Sequence, residues 1–160
     1  MKALYAGSFD CYTNGHHCIV RQASRVFDEL HIVVAVNINK TRTFDAEDMV
    51  RVIRESLEED GITNCVVTSY NRLVADYSHD NGIDFLVRGL RNSMDYNYEE
   101  NVASVNKLIN PNLESIYFRS DNAAISSTMV REMLSFGRDV SSYVPAPVWR
   151  YIQTLDLKKI

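Results

Sequence analysis

The sequence predicts an α/β fold, a doubly wound sheet of five parallel strands in one domain with a C-terminal helix. Short β-branched runs alternate along the chain with longer segments in which apolar residues recur at helical spacing. The 160 residues are 46% hydrophobic, enough to supply one buried core. No repeat, linker or low-complexity stretch divides them, so residues 1–160 are expected to form a single domain.

The strands are predicted from runs of apolar and β-branched residues. The clearest is 30–37, whose near-continuous β-branched character is typical of a strand covered on both faces. The full set is 2–6, 30–37, 64–69, 83–88 and 114–119. Ligands of parallel sheets bind beyond the carboxyl ends of the strands, so the loops that follow these strands are the candidate binding segments.

A helical pattern follows each strand, and such alternation favours right-handed crossovers between parallel strands. The first helix begins at Asn14, where apolar residues start to recur at the spacing of one helix face. The second is capped by Asp45 and ended by Gly61. The others are predicted at 72–80, at 94–109, at 127–136 and, as the last helix, from Pro145 onward.

Composition excludes several classes of protein. A formal net charge of −4 argues against a surface that tracks nucleic acid, although an anionic substrate can still be held at one local basic site. The longest apolar run, 32–36, is far shorter than a membrane span, and the N-terminal apolar segment is too short for a signal peptide, so we expect a cytoplasmic protein. Three cysteines without a C-x-x-C pair are expected to be reduced thiols.

The loop after the first strand has the features of an anion-binding site. It reads GSFDCYTNGH from Gly7 to His16, and it lacks the glycine pattern of dinucleotide-binding folds and of P-loops. Thr13 or Asn14 can cap the following helix, whose N-terminus attracts negative charge. His16 in the first turn would then donate a hydrogen bond to the bound anion, whereas a lone histidine in this place is more often structural.

Basic and hydroxyl side chains follow other strands. Lys40 lies after the second strand, and Arg88 and Arg91 flank a glycine after the fourth. Arginine matches phosphate with a planar fork, although salt bridges to Asp95 or Glu99 would also explain the two arginines. After the fifth strand come the hydroxyls of residues 126–128, which exceed what capping alone requires. Together these groups predict a site that stabilises phosphoryl charge by positioning and electrostatics.

A resident metal site is not predicted. His16, His17 and Cys18 are adjacent on one helix, where neighbouring side chains point about 100° apart and do not converge on one ion.

Several segments of the chain resemble those of a known family. The segments GSFD and TNGH in 7–16, and ISST in 125–128, are similar to the two signatures of the nucleotidyltransferase superfamily with the T/HxGH motif, which has a Rossmann-like fold. The segment from Arg88 to Glu99, RGLRNSMDYNYE, resembles that of bacterial phosphopantetheine adenylyltransferases. The resemblance spans essentially the whole chain. This chain departs from the family pattern at Cys11, where proline is usual, at Arg72, and in a shorter loop at 122–124.

The resemblance implies transfer of the adenylyl group of ATP to 4′-phosphopantetheine, which yields dephospho-coenzyme A and pyrophosphate. It implies Mg²⁺ with the nucleotide, a homohexamer and feedback inhibition by coenzyme A. The catalytic residues it implies are His16, Lys40, Arg88 and Arg91. The acceptor would be bound by Ser8, Lys40, Val74 and Arg88. ATP would be bound by Ser8, Phe9, His16, Gly89, Leu90, Arg91, Glu99, Asn122, Ala123, Ala124, Ile125, Ser126, Ser127 and Thr128.

Two alternatives stay open on the sequence. The same chemistry could serve another phosphorylated acceptor, such as nicotinamide mononucleotide, or use CTP. The chain could also be a nucleotide-binding subunit that retains the fold without catalysis.

Overall fold

The computed structural model describes residues 1–121 and 124–156. Its five strands are all parallel and ordered β3-β2-β1-β4-β5, which confirms the predicted α/β class. The strands are β1 (Lys2–Gly7), β2 (Glu29–Ala35), β3 (Cys65–Tyr70), β4 (Phe85–Leu90) and β5 (Glu114–Arg119). The helices are α1 (Asn14–Ser24), α2 (Ala46–Glu59), α3 (Val74–Asp80), α4 (Ser93–Ile109), α5 (Ser127–Ser135) and α6 (Ala146–Gln153).

Both faces of the sheet are covered. Along β1, Ala3 and Tyr5 pack into one core, whereas Leu4 and Ala6 pack into a second core on the opposite face, as the two-residue period of a strand requires. The first core receives the apolar stripes of α1, α2, α5 and α6. The second receives Tyr77 of α3 together with residues of the strands. The sheet is therefore doubly wound, as predicted.

Local sequence signals set the helix ends. The carboxylate of Asp45 accepts hydrogen bonds from the backbone N–H groups of Glu47 at 2.9 Å and Asp48 at 3.0 Å, which starts α2. Gly61 adopts a φ of 67° just beyond α2, a conformation that glycine reaches without strain. The predicted bounds of the second helix are thus close to the observed ones.

The fourth strand begins two residues later than predicted. Ile83 does not start the strand, because its backbone N–H donates to the carbonyl of Ser78 at 2.8 Å and closes the C-terminus of α3 through Gly82. The strand extends instead to Leu90, so Gly89 lies inside it. A Cβ at Gly89 would come within 3.2 Å of the Ile19 side chain, so this glycine permits close packing of α1 on the strand rather than loop flexibility.

The strand order places the site. The chain crosses from β1 to one side through α1 and α2 and returns to the other side for β4 and β5. Between β1 and β4 the direction of winding reverses, and the crevice beyond the carboxyl ends of these two strands is where such sheets bind ligands. Within the described residues, no helix is long and apolar enough to span a membrane.

Candidate active site

A cavity of about 380 Å³ lies in this crevice. It is bordered by the end of β1 and its loop, the first turns of α1, the end of β4, and the N-terminus of α5. The lining residues are Tyr5, Ala6, Gly7, Ser8, Phe9, Gly15, His16, Ile19, Arg88, Gly89, Arg91, Ser120, Ile125, Ser126, Ser127, Thr128 and Arg131. Two helix N-termini and three arginines therefore face one space, and the described lining residues include no carboxylate.

The Phe9 side chain is buried beneath the first loop. It is only 2% exposed, and the backbone of Phe9 has a φ of 41°, an uncommon conformation for a residue with a side chain. The ring packs edge-on against Tyr5, with centroids 5.3 Å apart, and against His16, with centroids 5.0 Å apart. A Cβ at Gly7 would lie 3.1 Å from the Phe9 ring, so a side chain at this position would have to displace the ring. The loop is thus held rigidly against the site.

His16 is fixed by the cap of α1. Thr13 accepts from the backbone N–H of His16 at 3.4 Å, and the backbone N–H of Thr13 donates to Nδ1 of His16 at 3.0 Å, which completes a capping box. Because Nδ1 accepts this bond, a neutral imidazole carries its proton on Nε2. The ring nitrogen left for the cavity is therefore a donor.

The electrostatic surroundings keep His16 neutral. Burial, with the positive charges of Arg91 and Arg88 acting in the same direction, lowers its pKa from 6.5 to about 4. At neutral pH the imidazole is thus an uncharged hydrogen-bond donor. It cannot act as a general acid through its charged form, but it can stabilise negative charge that develops on an oxygen in the cavity.

Arg88 is held from behind by Glu99. Its Nε and Nη2 donate to the two carboxylate oxygens of Glu99, each at 2.6 Å, and Nη1 donates to the carbonyl of Ala6 at 3.0 Å. A guanidinium has five N–H groups, so these three bonds leave two for a ligand. The Glu99 pair raises the pKa of Arg88 against the effect of burial, so the side chain stays charged in the cavity.

Arg91 is arranged in the same way on the rim. Its Nε donates to Asp95 at 2.9 Å and its Nη2 donates to the other oxygen of Asp95 at 3.3 Å. Both arginines therefore form salt bridges with carboxylates, which was the alternative to phosphate binding in the sequence analysis. Both also line the cavity. The two explanations are compatible, because each carboxylate occupies only one edge of its arginine.

Each of the hydroxyls that open α5 has a partner in the protein. Ser126 caps the helix by accepting from the backbone N–H of Met129 at 3.1 Å. Ser127 donates to the carbonyl of Cys11 at 2.7 Å, and Thr128 accepts from Arg131 at 3.4 Å. Ser127 thus fastens α5 to the first loop, whereas Ser126 and Thr128 only accept and keep their O–H donors. All three residues border the cavity.

Besides Ala124, four predicted site residues that the structure describes lie outside the cavity lining. Lys40 is exposed in the loop between β2 and α2, Leu90 ends β4, and Val74 begins α3 and packs against the second core. Glu99 is buried, with both oxygens on Arg88.

The loop that leads into α5 is described only in part. Of its predicted ATP contacts, Ala124 is exposed and also outside the lining. Asn122 and Ala123 lie outside the described residues.

The loop that carries Lys40 is tied to the first loop. Asp10 accepts from the backbone N–H groups of Thr43, at 3.0 Å, and Phe44, at 2.8 Å. Arg42 donates to the carbonyl of Ser8 at 2.8 Å. Lys40 is thus carried on a loop whose far end is anchored at the cavity.

Sequence reasoning did not assign Arg131 to the site. This side chain borders the cavity and donates to the carbonyl of Asp10 and to Thr128. The helical period could have found it, since it lies three residues after Thr128 and shares its face of α5. Tyr5 and Ser120 also line the cavity without having been predicted, because their place depends on which face each strand end presents.

Comparison with known proteins decides the family. The Cytidylyltransferase-like family model matches residues 4–133. The phosphopantetheine adenylyltransferase of Lacticaseibacillus paracasei is 38% identical over 149 residues, covering 91% of this chain and 88% of that protein. The protein of the same name from Shouchella clausii is 36% identical, covering 92% of each chain. This chain belongs to the phosphopantetheine adenylyltransferase family.

Solved structures show the same fold at much lower identity. A structure described as a nicotinate-nucleotide adenylyltransferase from Vibrio parahaemolyticus superposes with a TM-score of 0.74 at 17% identity, covering 99% of this chain and 94% of the other. A bifunctional NMN adenylyltransferase/ADP ribose pyrophosphatase from Francisella tularensis gives 0.73 at 14% identity, covering 98% of this chain and 50% of the other. The Rossmann-like fold predicted for this phosphopantetheine adenylyltransferase family member is thereby confirmed.

Proposed function

We propose that this protein transfers the adenylyl group of ATP to 4′-phosphopantetheine and releases dephospho-coenzyme A and pyrophosphate. The observation that carries the proposal is the cavity itself, in which a neutral histidine donor, two carboxylate-anchored arginines and two helix N-termini converge. Family membership supplies the acceptor, since the relatives named phosphopantetheine adenylyltransferase match over about nine tenths of the chain.

The reaction is a direct in-line displacement. An oxygen of the acceptor phosphate attacks the α-phosphorus of ATP and forms a P–O bond, while the bond from that phosphorus to the oxygen bridging to the β-phosphorus breaks. Pyrophosphate leaves with the bonding electron pair. The attacking phosphate is already ionised near neutral pH, so no general base is required.

His16 stabilises the transition state. Negative charge grows on the non-bridging oxygens of the α-phosphate as the fifth bond forms, and the Nε2–H of His16 would donate to one of them. Because the capping box fixes this donor before the substrate arrives, little reorganisation is needed during the reaction. A neutral donor also avoids an ion pair with the ground-state triphosphate.

The cationic groups divide between the two substrates. Arg88, with two N–H groups left by Glu99 and Ala6, and Lys40 would hold the acceptor phosphate. Arg91 and the N-terminus of α5 would hold the β- and γ-phosphates of ATP. Ser8 lines the cavity and, as the family resemblance implies, would contact both ATP and the acceptor phosphate.

The adenine and the pantetheine arm are assigned by family resemblance. Residues 122–128 would enclose the adenine, and Val74 would line the path of the pantetheine arm.

Mg²⁺ would enter with ATP. The described residues contain no cluster of three or more histidine, cysteine or carboxylate side chains that could hold a metal ion, and hard divalent cations prefer oxygen ligands. When bound, the ion would be held by oxygen atoms of ATP and of water. It then supplies positive charge that favours departure of pyrophosphate.

The assembly and its regulation are proposed on the family resemblance. Helix α4 supports an oligomer, because its only buried residue is Glu99 while Met94 is 80% and Leu108 is 85% exposed. We propose a homohexamer in the cytoplasm, and light scattering would measure its mass. Coenzyme A shares the adenine nucleotide and the pantetheine arm of the product, so it would compete for the same cavity as a feedback inhibitor.

The test is a substrate panel with quantified pyrophosphate. ATP, Mg²⁺ and 4′-phosphopantetheine should give equal amounts of pyrophosphate and dephospho-coenzyme A, whereas nicotinamide mononucleotide with ATP, or any acceptor with CTP, should give little. His16→Ala should lower kcat by about a hundredfold or more with a nearly unchanged ATP KM, the loss typical of a transition-state donor.

His79→Ala serves as the matched control for His16→Ala. His79 lies on α3 with its side chain 77% exposed, so its removal should leave kcat and KM unchanged. Folded protein that binds ATP but releases no pyrophosphate would overturn the assigned activity.

A further inference from the structure

A polar chain, buried at Tyr12 and His17 and reaching the surface at Asp60, runs behind His16 and away from the cavity. The hydroxyl of Tyr12 lies 3.0 Å from Nδ1 of His17, and Nε2 of His17 lies 2.7 Å from a carboxylate oxygen of Asp60. Arg21 donates to the same carboxylate. Tyr12 is fully buried and does not line the cavity, so it cannot touch a substrate. The reaction assigned above gives no role to this chain.

Hydrogen-bond chemistry fixes the direction of each bond. The carboxylate of Asp60 can only accept, so Nε2 of His17 carries the proton. Burial lowers the pKa of His17, which favours the neutral imidazole whose Nδ1 accepts from the Tyr12 hydroxyl. Tyr12 therefore donates to His17, and His17 donates to Asp60. The Tyr12 hydroxyl and both ring nitrogens of His17 thus have partners, and the Tyr12 ring is held at its far end by α1 and by the residue that caps the C-terminus of α2.

The other end of Tyr12 meets the catalytic imidazole. Its ring lies nearly parallel to that of His16, at an interplanar angle of 21° with centroids 5.8 Å apart. Phe9 approaches the same imidazole edge-on. The hydrogen bond from Thr13 fixes Nδ1 of His16, but it leaves the ring free to tilt about that point. The two aromatic rings restrict this tilt.

We propose that Tyr12, anchored through His17 to Asp60, is a positioning residue that holds the His16 imidazole in the orientation from which Nε2–H reaches the α-phosphate. The inference rests on the adenylyl transfer proposed above. The residue does no chemistry of its own. Its contribution is to keep a donor aligned, and misplacement of a reacting group by about 1 Å can cost about a hundredfold in rate.

The chain offers a matched control on the opposite face of the sheet. The hydroxyl of Tyr77 lies 2.9 Å from Nδ1 of His31, and Nε2 of His31 lies 2.7 Å from Glu29. This is the same sequence of groups, but it packs in the second core and borders no part of the cavity. Tyr77→Phe therefore removes an equivalent hydroxyl without touching His16.

The experiment compares Tyr12→Phe with Tyr77→Phe in the full chain. Each variant leaves one histidine nitrogen unpaired, so both should lower the Tm by a few degrees, about 3 °C. Only Tyr12→Phe should lower kcat, by about tenfold, with the ATP KM unchanged. In a His16→Ala background, Tyr12→Phe should cause no further loss of kcat, because the two residues act as one unit.

Each other outcome overturns the proposal. An unchanged kcat in Tyr12→Phe would show that the anchor through His17 does not keep the His16 donor aligned. An equal loss of kcat with and without His16 would show that Tyr12 acts by another route.

Nitrogen NMR of the imidazoles gives a readout that does not depend on turnover. The His16 resonances should shift and broaden in Tyr12→Phe and stay unchanged in Tyr77→Phe, and unchanged His16 resonances in both variants would refute the positioning role. A wild-type protein that releases no pyrophosphate would instead refute the assigned reaction, while the NMR result would still decide the positioning.

Discussion

Replacement of Glu99 by glutamine tests whether Arg88 depends on its carboxylate partner. The Arg88 side chain is 24% exposed and the Glu99 side chain is 9% exposed, and two hydrogen bonds of 2.6 Å join them. Glutamine keeps the shape and one acceptor oxygen, but its amide N–H₂ would face an N–H of the arginine. The partly buried guanidinium then loses its counter-charge, and one donor is left without an acceptor.

The magnitude follows from the burial of the pair. Removal of one partner from a buried ion pair typically costs about 3–5 kcal/mol. Because glutamine retains one acceptor, we expect the lower end, about 3 kcal/mol, and at about 2–4 °C per kcal/mol for a chain of this size the Tm should fall by roughly 9 °C. Arg88 would also lose its orientation, so the KM for phosphopantetheine should rise by about tenfold.

The assay is urea and thermal unfolding of Glu99→Gln beside Glu55→Gln, followed by steady-state kinetics well below both values of Tm. Glu55 pairs with Arg51 on the surface of α2, where the side chains are 39% and 51% exposed, so its loss should cost no more than about 0.5 kcal/mol. Equal stability of the two variants would refute the claim that Glu99 compensates a buried charge. An unchanged acceptor KM would refute its role in orienting Arg88.

Two further predictions concern the first loop and His16. Gly7→Ala places a Cβ 3.1 Å from the buried Phe9 ring, so it should destabilise the fold by about 1–3 kcal/mol and lower kcat through the displaced ring, whereas the exposed Ser104→Ala should change neither quantity on calorimetry and kinetics. Burial and the nearby arginines lower the His16 pKa from 6.5 to about 4, so between these pH values the unfolded chain takes up a proton that the folded chain does not. Stability should therefore fall as the pH drops from 6.5 to 4, and urea unfolding should show a smaller fall in His16→Gln; equal falls would contradict the assignment.

Signals that are local in sequence could be predicted well. The cap at Asp45, the glycine after α2 and the β-branched run of β2 each depend on residues a few positions apart, and the structure places them close to where the sequence did. The predicted start of β4 was wrong. Ile83 is apolar and β-branched whether it starts a strand or closes the end of α3, so its residue type does not distinguish the two. Its backbone N–H is taken by Ser78 at the end of α3, and this competition is not visible in an apolar pattern.

Contacts of the candidate site could likewise be predicted only where the two residues are close in sequence. The capping box of Thr13 and His16 spans three residues and could be anticipated, and Asp95 and Glu99 could be named as possible partners of the arginines, although not which arginine each would pair with. The contact of His17 with Asp60 joins residues 43 positions apart, and nothing in either segment specifies the other. Such pairs depend on the packing of α1 against the end of α2, which only the folded chain reveals.

The salt bridges explain how an acidic protein can hold a basic site. With a net charge of −4, the chain has enough carboxylates to neutralise every arginine near the cavity, and it does pair both Arg88 and Arg91. Each carboxylate lies behind its arginine rather than in the cavity. It therefore neutralises part of the charge of the arginine but does not occupy the N–H groups on the opposite edge of the guanidinium. An unpaired arginine would attract the ground-state triphosphate strongly and lose side-chain entropy on binding it. An anchored arginine has lost that entropy during folding, and the donors it keeps are aimed before the substrate arrives, which favours the transition state over the ground state.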